Sequence, residues 1–186
     1  QKKVKSFVNQ ENHVFLLDRS NEKIKGLTAS VLDGIKQTKT QNFIVMDGDL
    51  QHPPESIKLI IEKLSQDFDL VLAARDNIVR TWNLNRFVGE KVAAFLGQCR
   101  LLLKGIAVQD PMSGFFGGKT VYIKNLIEQN EKRFVKEGYK VLFDILKTSP
   151  PDAYLGGIRF EFSRRKFGRS KMNLRIVRLI IKSFLT

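Results

Sequence analysis

A single cysteine, Cys99, excludes an internal disulfide framework and a Cys-rich zinc site, and it fits a reducing compartment. No run of about 18 to 20 apolar residues occurs, so no segment reads as crossing a membrane by itself. Lys2, Lys3 and Lys5 are not followed by the apolar stretch of a secretory signal. There is no P-loop, and the two histidines, His13 and His52, support no Ser-His-Asp or Cys-His arrangement. Acidic residues are outnumbered, 19 against 32 Lys and Arg, which gives a net charge of +13. No zinc-finger, RNP or recognition-helix pattern accompanies that charge, so nucleic acid is not the expected partner.

What is present describes a folded domain. The 186 residues suit one ordinary domain, and 42% apolar content with 14 Phe is too rich for a disordered chain. His13–Leu17, Phe43–Met46 and Leu70–Ala74 read as buried strands. Between them, Gly26–Ile35 places Leu27, Val31 and Ile35 at helical spacing, and Pro53-Pro54-Glu55 opens a helix whose apolar face is Ile57, Ile60, Ile61 and Leu64. This alternation predicts an α/β domain with a mainly parallel sheet, whose ligands sit at the carboxyl ends of the strands. Asp47, Asp49 and Arg75 lie just past such ends. Further on, helices are predicted over Leu84–Leu103, Thr120–Asn130 and Gly138–Lys147, a turn at Asp110–Gly114, and a strand at Ile158–Phe162. The domain is drawn as residues 1–172, with 173–186 beginning a separate amphipathic helix.

Three constellations carry chemistry. In Asp47-Gly48-Asp49-Leu50-Gln51, two carboxylates and an amide oxygen offer the hard ligands that Mg²⁺ or Mn²⁺ prefer. Asp and Gly are also ordinary turn residues, but the apolar strand before and the helix start after favour the ion site. Arg164, Arg165, Lys166, Arg169 and Lys171, with Gly168 and Ser170 among them, form a phosphate-binding loop or a solvated basic one. Asn173–Leu185 sets Arg175, Arg178 and Lys182 against a broad apolar face, which suits either a helix on an anionic membrane surface or one packed on the domain. From Arg159 to Thr186 there are nine Lys or Arg and one acid, so this end carries +8 of the net +13. Smaller signals are His52, a ligand or a surface turn residue; His13, structural; Trp82 and Arg86, lining a cleft, with Trp82 equally a core residue; and Cys99, buried and inert.

Phe43-Ile-Val-Met-Asp-Gly-Asp-Leu-Gln-His-Pro-Pro-Glu55 resembles the metal-site segment of family 2 glycosyltransferases with the GT-A fold. It is most similar to that of the dolichol-phosphate mannose synthases and related polyprenyl-phosphate glycosyltransferases. Gly26–Gly34, Asp110-Pro-Met-Ser-Gly-Phe-Phe116 and Phe162-x-x-Arg165-x-x-Gly168-x-Ser170-Lys171 resemble three further segments of that family in order. The resemblance covers about residues 13 to 175. It implies a metal and donor-diphosphate site at Asp47, Asp49 and Gln51 with Mn²⁺ or Mg²⁺, and a place for Asp110 near the transferred sugar. Arg75, Arg86, Arg165 and Lys171 would face phosphates, Arg75 on the donor side and Arg86, Arg165, Ser170 and Lys171 on the acceptor side. The implied activity is inverting transfer, with Asp49, Asp110, Arg165 and Lys171 as the central residues. Mannose would move from GDP-mannose to dolichyl or polyprenyl phosphate, at a membrane surface on its cytoplasmic face. Glucosyl or aminosugar transfer to the same kind of lipid is the near alternative, and a noncatalytic nucleic-acid or membrane-binding module the distant one. The family's Pro-x-Tyr-Asn-Glu-like and Asp-Asp-x-Ser-like segments have no match here. A fragment lacking the first two strands, and half of the donor pocket, is therefore expected.

Overall fold

The computed structural model describes residues 14–49, 51–76, 94–161, 178–179 and 182–184. Helix α1, Leu27–Gln37, has no side-chain cap. Its first amides are satisfied from across the chain: Thr28 N–H donates to Gly138 O and Ala29 N–H to Lys136 O, both at 3.0 Å. This approach requires Gly26, where a Cβ would lie 2.3 Å from Lys136 O. The buried stripe of α1 is Thr28, Ala29, Leu32 and Ile35. It is therefore rotated from the predicted line, leaving Leu27 exposed.

Strand β1, Asn42–Val45, leads into the Asp47–Asp49 turn. Helix α2, Ser56–Ser65, follows the two prolines and buries Ile60 and Leu64, while Ile61, predicted on the same face, is 54% exposed. Strand β2, Leu70–Arg75, is an apolar run buried over its first four residues. A helix α3 is described over 94–102 and closes at Gly105, whose φ of +80° suits glycine. Then come β3, Phe116–Lys119; α4, Thr120–Gln129; a 3-10 turn, Glu131–Arg133; α5, Val141–Thr148; and β4, Leu155–Phe160.

The four strands are ordered β1-β3-β2-β4. β2 and β4 are parallel, whereas β3 runs antiparallel to both β1 and β2. Three strands therefore share the direction expected of an α/β fold, and one inserted strand makes the sheet mixed. That strand reads Phe-Gly-Gly-Lys, a composition strands rarely have and one that gives no strand pattern in the sequence. Its glycines allow close packing: a Cβ on Gly117 would meet Ile60 Cγ2 at 2.6 Å and Phe43 O at 3.0 Å. Two apolar clusters result. The larger joins α1, α4 and α5 to the sheet, and the smaller places Ile60 and Leu64 against Val71, Ala73, Phe115, Ile158 and Phe160. All eight residues of α5 are buried.

The expected strand at His13–Leu17 is not formed over its described residues 14–17, and Phe15 is 86% exposed. A strand needs a neighbour for its N–H and C=O groups, and among the described residues no strand pairs with this segment. The last strand starts at Leu155, before its predicted beginning, because Gly156 and Gly157 break the apolar pattern. Gly156 instead receives the Phe68 ring, which stacks on Tyr154 at 4.1 Å. No helix among the described residues is long and apolar enough to cross a membrane. The end of the chain touches the domain: Phe184 meets Phe143 edge-on at 5.0 Å, and Ser183 is buried, while Arg178 and Lys182 are exposed.

Candidate active site

The strand directions gather the polar residues at one edge of the sheet. β1 and β2 end there, at Val45 and Arg75; β4 ends there, with Phe160 in register with Arg75; and β3 begins there, at Phe116. Asp47 and Asp49 leave the end of β1, and the Asp110–Gly114 turn leads into β3.

Arg75 and Asp110 form a two-point ion pair. Nε donates to Oδ2 at 2.7 Å and Nη2 to Oδ1 at 3.2 Å, with both side chains largely buried. Asp110 Oδ1 also accepts the Met112 N–H at 3.3 Å, so the same carboxylate shapes its own turn. The Lys140 ammonium donates to Met112 O at 3.2 Å. Within the turn, Phe115 N–H donates to Ser113 Oγ at 3.2 Å.

Asp47 is held from two sides. Its backbone N–H donates to His52 Nδ1 at 3.1 Å. Its carboxylate lies against Gly114, where a Cβ would be 3.1 Å from Oδ2. Asp49 Oδ1 accepts the Gln51 N–H at 3.2 Å, which closes the loop back toward His52. His52 is only 3% exposed. Its ring stacks on Phe115 at 5.1 Å and meets Phe160 edge-on at 5.5 Å. Burial pulls its pKa below the usual histidine value, against the opposing pull of the Asp47 and Asp49 carboxylates. His52 is therefore a buried residue rather than a surface turn residue, with Nδ1 engaged by the Asp47 N–H. It is the buried, neutral support under the acidic loop, and its role was hidden because Phe115 and Phe160 are remote in sequence.

Asp47, Asp49, Gln51, Arg75 and Asp110 thus lie at one sheet edge. Gln51 is buried. Among the described residues no group of three or more His, Cys, Asp or Glu side chains forms a metal cage. The donor set at Asp47 and Asp49 is all oxygen, and it fits a hard divalent cation that completes its shell with phosphate oxygens and water. Arg86, Arg165, Ser170 and Lys171 lie outside the described residues, as do Trp82 and His13. Cys99 is half-buried rather than buried.

The sequence profile described as Glycosyl transferase family 2 matches residues 1–129. The dolichol-phosphate mannosyltransferase of Saccharomyces cerevisiae is 31% identical over 183 residues, covering 94% of this chain and 64% of that protein. That of Pyrococcus furiosus is 34% identical over 154 residues, covering 81% of this chain and 41% of that protein. The chain thus spans less than two thirds of the length of these relatives. Glucosyl-3-phosphoglycerate synthase from Mycobacterium tuberculosis, solved with Mn²⁺, UDP-glucose and phosphoglyceric acid, superposes with a TM-score of 0.54. At 18% identity, over 87% of this chain and 54% of that one, the likeness shows a common fold.

Proposed function

The chain belongs to glycosyl transferase family 2, and from that premise we propose that its protein transfers mannose, with inversion, from GDP-mannose to dolichyl or polyprenyl phosphate. The GT-A fold supplies the frame. The observation that carries the reading is the convergence of Asp47, Asp49 and the Arg75–Asp110 pair at the carboxyl edge of the sheet. The choice of donor and acceptor is supported by the two mannosyltransferase relatives.

Asp47 and Asp49, with Gln51, would hold a divalent cation, Mn²⁺ or Mg²⁺; solved structures of the same fold contain Mn²⁺. When bound, such an ion neutralises charge on a nucleoside-diphosphate leaving group as a Lewis acid. The protein's own part is placement. Neutral His52 fixes the Asp47 backbone, and the lack of a side chain at Gly114 leaves room for the Asp47 carboxylate. Arg75, paired with Asp110, would hold that carboxylate for the donor sugar and face the donor diphosphate. On the acceptor side, Arg86, Arg165, Ser170 and Lys171 would align the lipid phosphate. A phosphate monoester has a second pKa of about 6, so at neutral pH it is largely ionised and attacks the anomeric carbon without a strong general base. Alignment is then the main service the protein gives it. The reaction would take place at a membrane surface, on the cytoplasmic face.

The test is sugar transfer by the full-length protein, reconstituted with dolichyl phosphate and given labelled GDP-mannose or UDP-glucose, with Mn²⁺ or a chelator. Chelator-sensitive labelling of lipid from GDP-mannose, lost in Asp49→Ala, is the expected result. Labelling from UDP-glucose alone would replace the donor, and undiminished transfer by Asp49→Ala would remove the metal assignment.

A further inference from the structure

Lys140 stands where a cation is poorly placed for its own helix. It is the N-cap of α5, a position at which Ser, Thr, Asp or Asn would satisfy the first amides, and its side chain makes no cap hydrogen bond. A positive charge there also opposes the helix dipole. The half-buried side chain serves another element instead: Nζ donates to Met112 O at 3.2 Å.

Met112 is the middle of the Asp110–Gly114 turn and is gripped at several points. Its N–H donates to Asp110 Oδ1 at 3.3 Å, and the next amide, that of Ser113, donates to Asp110 O at 3.3 Å. Its side chain is buried and reaches α3, where a Cβ on Gly97 would stand 2.6 Å from Met112 Cε. The two ends of the turn are the parts that meet the site. Asp110 makes the two-point pair with Arg75, and Gly114 lies against the Asp47 carboxylate. Only Pro111, Met112 and Ser113 lie between these ends, so a shift of the Met112 carbonyl reaches both of them.

We propose that Lys140 is a positioning residue for sugar transfer, holding the Met112 carbonyl so that Asp110 and Gly114 keep their places. Its effect on rate rests on the transfer reading above, whereas its hold on the turn does not. The residue acts through the turn, from 28 positions away in sequence, and no local pattern marks it.

Two measurements on the full-length enzyme test it: transfer kinetics with kcat and KM resolved, and hydrogen exchange of individual amides. Lys140→Met keeps the length of the stem and removes the donor, and Lys140→Arg restores a charged donor. Lys140→Met should lower kcat about tenfold, as small displacements at a reacting centre do, with the KM for dolichyl phosphate unchanged. Exchange at the Met112 and Ser113 amides should quicken while the amides of α5 keep their native protection. Lys140→Arg should recover both properties. A native kcat in Lys140→Met would overturn the proposal. Faster exchange throughout α5 with a lower melting temperature would overturn it as well, since the lysine would then serve only its helix. So would an arginine variant as impaired as the methionine one. If the native enzyme transfers no sugar, the transfer reading falls, and exchange at Met112 and Ser113 then decides whether Lys140 holds the turn.

Discussion

Gly114 and His52 position the acidic loop without touching its chemistry. In Gly114→Ala the new methyl would stand 3.1 Å from Asp47 Oδ2, so the carboxylate must yield by a few tenths of an ångström. Transfer by the full-length enzyme should fall about tenfold with little change in melting temperature, since small misplacements at a reacting centre are costly. Equal activity in the two proteins would show that Asp47 tolerates the shift. His52→Ala removes the acceptor of the Asp47 N–H and opens a hole against Phe115 and Phe160. A destabilisation of about 2–4 kcal/mol is expected in urea denaturation. Asp47, Asp49 and Arg75 are legible in the sequence because each follows a strand end, whereas the pattern gives Asp110 only as a turn residue and the family resemblance places it at the site. His52 and Gly114 are not legible, because their roles arise only where β1, β3 and β4 end together.

Among the secondary-structure elements, β3 has the least regular composition and sits between β1 and β2. Gly117 allows Ile60 of α2 to lie directly on that strand, and Gly118 lies close to Ile123 Cγ1 and Asp69 O, each 3.2 Å from a Cβ built there. Gly117→Ala would drive a methyl into Ile60 and the Phe43 carbonyl. A cost of about 1–3 kcal/mol, seen as a lower urea midpoint with unchanged slope, is expected. The presence of α1, α2, α4 and α5 and of the apolar strands β1 and β2 is legible from periodicity, although only β2 forms a continuous buried run and residues 84–93 of the helix expected over Leu84–Leu103 lie outside the described residues. Strands β3 and β4 were harder: their glycines serve the neighbouring rings and methyls and leave little pattern of their own. The stripe of α1 is rotated slightly from its apolar periodicity for a similar reason, since Thr28, a polar residue, is fully buried on it.

Across the whole molecule, one buried polar cluster ties the end of the chain to the domain. Asp144 pairs with Lys147, accepts the Val135 N–H at 3.1 Å and accepts the Ser183 hydroxyl; Lys147 in turn donates to Ser183 O at 3.1 Å. Lys147→Met would leave Asp144 buried without its cation, and a loss of about 3–5 kcal/mol is expected. Burial is the largest cause that holds Lys147 below the usual lysine value, outweighing Asp144, with Arg133 and Arg100 adding to it. Between the folded value and the usual lysine value the unfolded chain therefore binds more protons, and stability from this group rises with pH. The stability gap between the native chain and Lys147→Met should widen as pH rises toward the usual lysine value; a gap that narrows would reverse the sign of the shift. The sequence left the terminal helix open between a membrane and the domain. Ser183 and Phe184 face the domain, a contact that amphipathicity alone could not decide because both environments ask for one apolar side.

The parallel pairing of β2 with β4 joins Leu70 to Leu155, two residues 85 positions apart. On a ribosome adding about 5–20 residues per second, roughly 4 to 17 seconds separate the synthesis of these two partners. For that interval one edge of an apolar strand, Leu-Val-Leu-Ala-Ala-Arg, waits without its mate. A nascent chain of this protein should therefore be a chaperone client while the stretch between β2 and β4 is being made. Its yield on translation should rise when that delay is shortened or when a holdase is supplied.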